Sequence, residues 1–74
     1  MEQKELELLT EQISLKVFKK PFTDRVCFNR RLRTTGGRYL PGKRVIELNP
    51  KYLNELGYDE FIGIIKHELI QSMI

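Results

Sequence analysis

His67 is the only histidine in the chain, and Glu68 follows it directly within the run Ile64-Ile65-Lys66-His67-Glu68-Leu69. An imidazole beside a carboxylate on a helix is the first half of the zinc motif HExxH. In that motif two histidines four residues apart stand about 40° from each other around the helix and roughly 6 Å apart along it, so both reach one cation. The glutamate between them stays off the metal and takes a proton from the metal-bound water, whose pKa the cation has lowered toward neutrality. Four positions after His67 this chain has Gln71. Its neutral amide oxygen is a poor replacement for imidazole at zinc. A lone histidine on a helix is also an ordinary surface residue, so the pair by itself leaves the metal reading and the plain structural one both open.

A second candidate chemistry is anion contact. Residues 25–44 hold Arg25, Arg30, Arg31, Arg33, Arg38, Lys43 and Arg44 with no acid, whereas residues 1–24 carry four bases and five acids and residues 45–74 two bases and five acids. The net charge of +3 therefore hides a strongly basic middle between weakly acidic flanks. Arg30, Arg31, Arg33, Arg38, Lys43 and Arg44 could neutralise nucleic-acid phosphates without reading bases. The alternative is a solvated, arginine-rich sheet edge guarded against strand addition. Gly36-Gly37 lacks the lysine or the further glycines of a phosphate cradle, so a bend or bulge between strands is the expected use. Phe28 and Tyr39 read as hairpin core residues, not as stacking platforms for bases.

The elements that must position these groups follow from periodicity. Leu6, Leu9, Ile13 and Val17 recur every three or four residues, which predicts an amphipathic opening helix ended by Pro21. Val26 and Phe28 alternate with polar neighbours as in a half-buried strand. Extended pieces are expected near Arg38–Leu40 and over Arg44–Leu48, with Pro41-Gly42 as the turn of an antiparallel hairpin. A short helical turn after Asn49-Pro50, stopped by Gly57, then precedes a longer helix capped by Asp59, with Phe61, Ile62, Ile65, Leu69 and Met73 on its apolar face.

Length sets the scale. A chain of 74 residues forms one small domain, because one this short buries only about 60% of the surface its unfolded form exposes. Hydrophobic residues at 41% and charged residues at 31% are near ordinary soluble values, so neither disorder nor a membrane protein is the leading class. No apolar run approaches the roughly 20 residues needed to cross a bilayer, and the opening Met1-Glu2-Gln3-Lys4-Glu5 is not a secretion signal, so no membrane partner and a cytoplasmic location are expected. Cys27 is the only cysteine, which rules out an internal disulfide.

Phe28-Asn29-Arg30-Arg31-Leu32-Arg33-Thr34-Thr35-Gly36-Gly37-Arg38-Tyr39-Leu40, then Ile46-Glu47-Leu48-Asn49-Pro50, then Gly63-Ile64-Ile65-Lys66-His67-Glu68-Leu69 together resemble the N-terminal half of the SprT-like family. That family includes small cytoplasmic bacterial proteins and eukaryotic proteases that act on proteins crosslinked to DNA. The resemblance implies an α+β, zincin-like fold with an N-terminal helix, a short antiparallel β-sheet or hairpin, and a C-terminal helix carrying His-Glu. It also implies a zinc metallopeptidase-type site, with His67 as the first zinc ligand and Glu68 as the general base. Gln71 departs from the family pattern, and a further ligand would come from sequence beyond Ile74.

Three protein ligands commonly hold a catalytic zinc, and only His67 and Cys27 are available here beside carboxylates. Residues 1–74 are thus expected to form a single partial domain ending inside the HExxH-type helix, with no stable zinc and no turnover. The abrupt loss of the pattern in Ile70-Gln71-Ser72-Met73-Ile74 suggests a truncated family member; a complete small protein is the other reading. Truncation would leave Phe61, Ile65, Leu69 and Met73 partly uncovered and open to self-association.

Overall fold

The computed structural model describes all 74 residues, Met1–Ile74. The order of elements is α1 (Gln3–Ile13) running on into a π-helical turn (Ser14–Phe18), β1 (Arg25–Phe28), β2 (Gly37–Leu40), β3 (Val45–Leu48), α2 (Pro50–Leu56) and α3 (Tyr58–Ser72). This is an α+β arrangement: three helices around a small three-stranded sheet.

The amide of Glu2 donates to Glu5 Oε1 at 3.0 Å at the start of α1, satisfying a donor left free by the helix end. Leu6 and Ile13 enter the core, but Val17 is 46% exposed, against the expected apolar stripe. The π turn is the reason: bonding to the fifth residue instead of the fourth turns each residue through a smaller angle. Phe18, five positions after Ile13, packs against the core where Val17 was expected. The chain leaves the helix through Lys19 in a left-handed conformation (φ 60°), with Ser14 Oγ donating to the Lys20 carbonyl at 2.6 Å, just before Pro21. Glu11 Oε2 then accepts from the Phe22 amide at 3.0 Å and holds the following loop against α1.

The sheet is mixed, with strand order β1-β3-β2. β2 and β3 form the expected antiparallel hairpin around Pro41-Gly42, with Arg38 opposite Glu47 and Leu40 opposite Val45. β1, however, pairs with β3 in parallel, Val26 beside Ile46 and Phe28 beside Leu48, which corrects the expectation of a wholly antiparallel sheet. The central position falls to Val45-Ile46-Glu47-Leu48, the strand with three buried apolar side chains. β1 is joined to β2 by a long loop and not by a tight turn, so no hairpin geometry forces those two together.

Alternation divides the sheet into two faces. Val26, Phe28, Tyr39, Ile46 and Leu48 face the helices and join Leu6, Ile13, Phe61, Ile65 and Leu69 in or against one core. The rings of Phe28 and Phe61 stack with centroids 5.9 Å apart. Gly36 and Gly37 let α3 sit close to the sheet: a Cβ on Gly36 would lie 2.7 Å from Ile64 Cδ1, and one on Gly37 would lie 3.1 Å from Ile64 Cγ2. Gly36 precedes β2 and Gly37 opens it, so the pair serves close approach.

Asn49 caps α2 by accepting from the Lys51 amide at 3.0 Å, while its Nδ2 donates to the carbonyls of Leu32 and Thr35. Gly57, at φ 90°, separates α2 from α3. Asp59 lies within the first turn of α3 and makes no capping bond, in contrast to its expected role. No helix is long and apolar enough to cross a membrane.

Candidate functional site

α3 carries both residues of the His-Glu pair, and it presents them to different surroundings. Successive residues of a helix are about 100° apart, so a helix lying against a core can turn one of two neighbours inward and the other out. Glu68 faces inward, only 6% exposed and level with buried Ile65 and Leu69. His67 and Gln71, one turn apart, are both exposed.

No hydrogen bond or ion pair holds the Glu68 carboxylate. Burial pushes its pKa above the ordinary glutamate value, and the neighbouring His67 pulls it partly back. A carboxylate in this setting has an increased affinity for a proton. Glu68 thus lies on the inner side of α3 and the His67 imidazole on its outer side.

The donor set does not fit a mononuclear catalytic zinc. No group of three or more His, Cys, Asp or Glu side chains converges anywhere in the chain. Gln71 occupies the position one turn beyond His67 and brings an amide where a second imidazole is needed. Cys27 lies beside Glu47 in the β1–β3 register, on the sheet face opposite the one that Phe28 and Leu48 present to α3. Its thiol is pushed up by burial first and by Glu47 second, which is the reverse of what a metal-binding thiolate requires.

The six basic residues are divided in their engagements. Arg38 Nε donates to Glu47 Oε1 at 2.6 Å, and Arg44 Nε donates to Asp24 Oδ1 at 2.8 Å. Arg30, Arg31, Arg33 and Lys43 are exposed and form no ion pair. Arg30, Arg31 and Arg33 follow one another in the loop after β1, where Asn29 Oδ1 accepts from the Arg31 amide at 2.9 Å.

The expected uncovered face of α3 is corrected by the packing. Phe61, Ile65 and Leu69 are completely buried against the sheet and α1, and Met73 packs at the core margin. The apolar side chains that α3 does leave in solvent are Tyr58, Ile70 and, at the chain end, Ile74.

Two polar centres had no signal in the sequence. Glu47 collects Asn29 Nδ2 at 3.0 Å as well as Arg38, and these hydrogen bonds, Asn29's first, hold its carboxyl below the usual range against the opposing effect of burial. Asp24 receives Tyr39 Oη at 2.7 Å together with Arg44, and the bond to Asp24 raises the tyrosine's pKa. Both centres join residues distant in sequence, which spacing along one element does not reveal.

The SprT-like family model matches residues 6–74. The chain is 66% identical to "Protein SprT-like" of Oceanobacillus iheyensis over 65 residues, 88% of this chain and 43% of the relative. It is 62% identical over 69 residues to the protein of that name from Bacillus subtilis, covering 93% of this chain and 46% of the relative, and 56% identical over 69 residues to that of Anoxybacillus flavithermus. No solved structure matches. The chain spans less than half the length of these curated relatives. With most of its length matched by one family model and by relatives of such high identity, the chain belongs to the SprT-like family.

Proposed function

We propose that these 74 residues are the His-Glu portion of a zincin-type metallopeptidase fold and that, by themselves, they neither hold zinc tightly nor cleave peptides. The observation that carries this reading is Gln71, one turn from His67 on the same exposed side of α3. The resemblance to metallopeptidases implies zinc, His67 as a ligand and Glu68 as a base. With a single imidazole, no converging carboxylates and a distant, protonated thiol, the donor set falls short of the three ligands such a site needs.

Glu68 retains the environment of a base. The residue is mostly buried and its carboxyl, raised in pKa, has no hydrogen-bond partner in the protein and keeps contact with solvent, so it can accept a proton at Oε from water.

Zinc titration of the native chain against Gln71→His tests the reading. The native chain binds zinc weakly, and the second imidazole at position 71 tightens binding by at least about tenfold, since it completes a two-histidine turn. Equal affinity in both chains contradicts the assignment of His67 as a zinc-facing residue.

A second reading concerns the basic loop. Arg30, Arg31 and Arg33 have no acidic partner, which favours contact with nucleic-acid phosphates, whereas Arg38 and Arg44 are already paired within the protein.

A further inference from the structure

Residues 29–36 connect β1 to β2. Leu32, the only large apolar residue among them, neither belongs to the core nor packs against it. A connection without apolar anchors is ordinarily among the first parts of a fold to open. This one is tied down by polar bonds instead. Asn49, only 1% exposed, donates from Nδ2 to the Leu32 carbonyl at 3.0 Å and to the Thr35 carbonyl at 3.2 Å. Its backbone amide donates to the Gly36 carbonyl at 2.8 Å, and Tyr52 Oη donates to the Thr34 carbonyl. At the other end of the loop, the Asn29 carbonyl accepts from the Leu32 amide at 3.3 Å, and Asn29 Oδ1 accepts from the Arg31 amide.

The clamp comes from the start of α2. The Asn49 side chain divides its work: Oδ1 accepts from the Lys51 amide and caps the helix, while Nδ2 reaches the loop. Tyr52 stands three residues further on, in the first turn of the helix. A Cβ on Gly36 would lie 3.2 Å from Tyr52 Cδ2, so a glycine at the end of the loop leaves the room that the ring occupies.

What the clamped segment offers to solvent is cationic. Arg30, Arg31 and Arg33 are exposed and form no ion pair, and the sequence from Arg25 to Arg44 holds no acid. Ordering a mobile loop at the moment of binding costs affinity, and a backbone fixed beforehand avoids that cost.

We infer that Asn49 and Tyr52 are positioning residues for nucleic-acid contact, holding the backbone of residues 30–35 so that Arg30, Arg31 and Arg33 meet phosphates together. Neither residue touches the nucleic acid itself. The inference rests on the reading of the basic loop as a phosphate contact and is independent of the zinc reading.

The test measures binding of the 74-residue chain to a short DNA duplex at about 50 and 200 mM salt. Tyr52→Phe keeps the ring and every charge and removes one hydroxyl. It weakens binding by about threefold or more at both salt concentrations, with a salt dependence as steep as the native one. In the free protein it speeds tryptic cleavage after Arg31 and Arg33 by a similar factor, because the loop opens more often. Asn49→Ser, which retains a capping oxygen but loses both donors to the loop, does the same; if it does not fold, Tyr52→Phe alone decides. Replacing Arg30, Arg31 and Arg33 together by alanine flattens the salt dependence. Native affinity in Tyr52→Phe beside a flattened arginine variant overturns the positioning role and leaves the phosphate reading standing. Weakened binding with unchanged tryptic cleavage makes the hydroxyl a direct contact and overturns it as well. An arginine variant that binds as the native chain does removes the phosphate reading and the inference with it.

Discussion

Arg38 on β2 and Glu47 on β3 face each other in the antiparallel register and are joined by a 2.6 Å hydrogen bond from Nε to Oε1. Asn29, at the end of β1, donates to the same oxygen, so one carboxylate ties together all three strands.

That arrangement makes stability depend on pH. Glu47 has a folded pKa below its ordinary value, chiefly through Asn29 and then Arg38. Its contribution is fully present above the ordinary glutamate range and is lost as pH falls through the folded value. Glu47→Gln is expected to cost about 1 kcal/mol at pH 7, the scale of a partly exposed charged bond. Urea unfolding of both chains at pH 7 and pH 3 checks this, with the difference shrinking at the lower pH.

Glu68 acts in the opposite sense. Its raised pKa means that its contribution is full below the ordinary glutamate value and declines as pH rises through the folded value. Glu68→Gln, which removes a carboxylate whose charged form partial burial disfavours, is expected to raise Tm slightly at pH 7. At pH 4 the gain disappears. Thermal melts of the two chains at both pH values provide the comparison.

The glycines are expected to separate into three classes. An alanine Cβ at position 37 would meet the Glu47 carbonyl at 3.1 Å and Leu48 Cδ2 at 2.9 Å, and the strand backbone cannot move aside. Gly37→Ala should therefore destabilise by about 1–3 kcal/mol, as overpacking does. Gly36→Ala presses first on the tip of Ile64 and should cost less. Gly63→Ala, with open space beside it in the exposed middle of α3, should stabilise by about 0.5–1 kcal/mol. Denaturant midpoints of the three variants give the ranking.

Phosphate contact by Arg30, Arg31 and Arg33 predicts a salt slope. Three neutralised phosphates reduce affinity for duplex DNA by about 40-fold between 50 and 200 mM salt. Changing all three to alanine should flatten that dependence, whereas Arg38→Ala, which breaks an internal pair, should leave it. An affinity indifferent to salt contradicts this reading.

Local pattern carried most of the elements. Leu6, Leu9 and Ile13 marked α1, Pro41-Gly42 marked the β2–β3 hairpin, and Phe61, Ile65 and Leu69 marked the inner face of α3. Each of these signals lies within one element or one turn. The parallel partnership of β1 with β3 was not legible, because it depends on which strand wins the centre of the sheet, a competition decided by burial across the whole fold. The rotation that exposes Val17 was hidden for a related reason: the sequence shows a helical period but not a π turn. At the candidate site, the residue types of His67, Glu68 and Gln71 and their spacing were plain, while the inward turn of Glu68 and the outward turn of His67 needed the position of the sheet. The pairings of Arg38 and Arg44 with acids were likewise invisible to a count of charges.

Hydrolysis of an unstructured protein substrate by the purified 74-residue chain, with zinc supplied, bears most directly on the account. An imidazole with only an amide one turn away should leave the substrate intact over the background of buffer and metal, and Glu68→Gln should change nothing. Stoichiometric zinc together with cleavage that Glu68→Gln abolishes would contradict it.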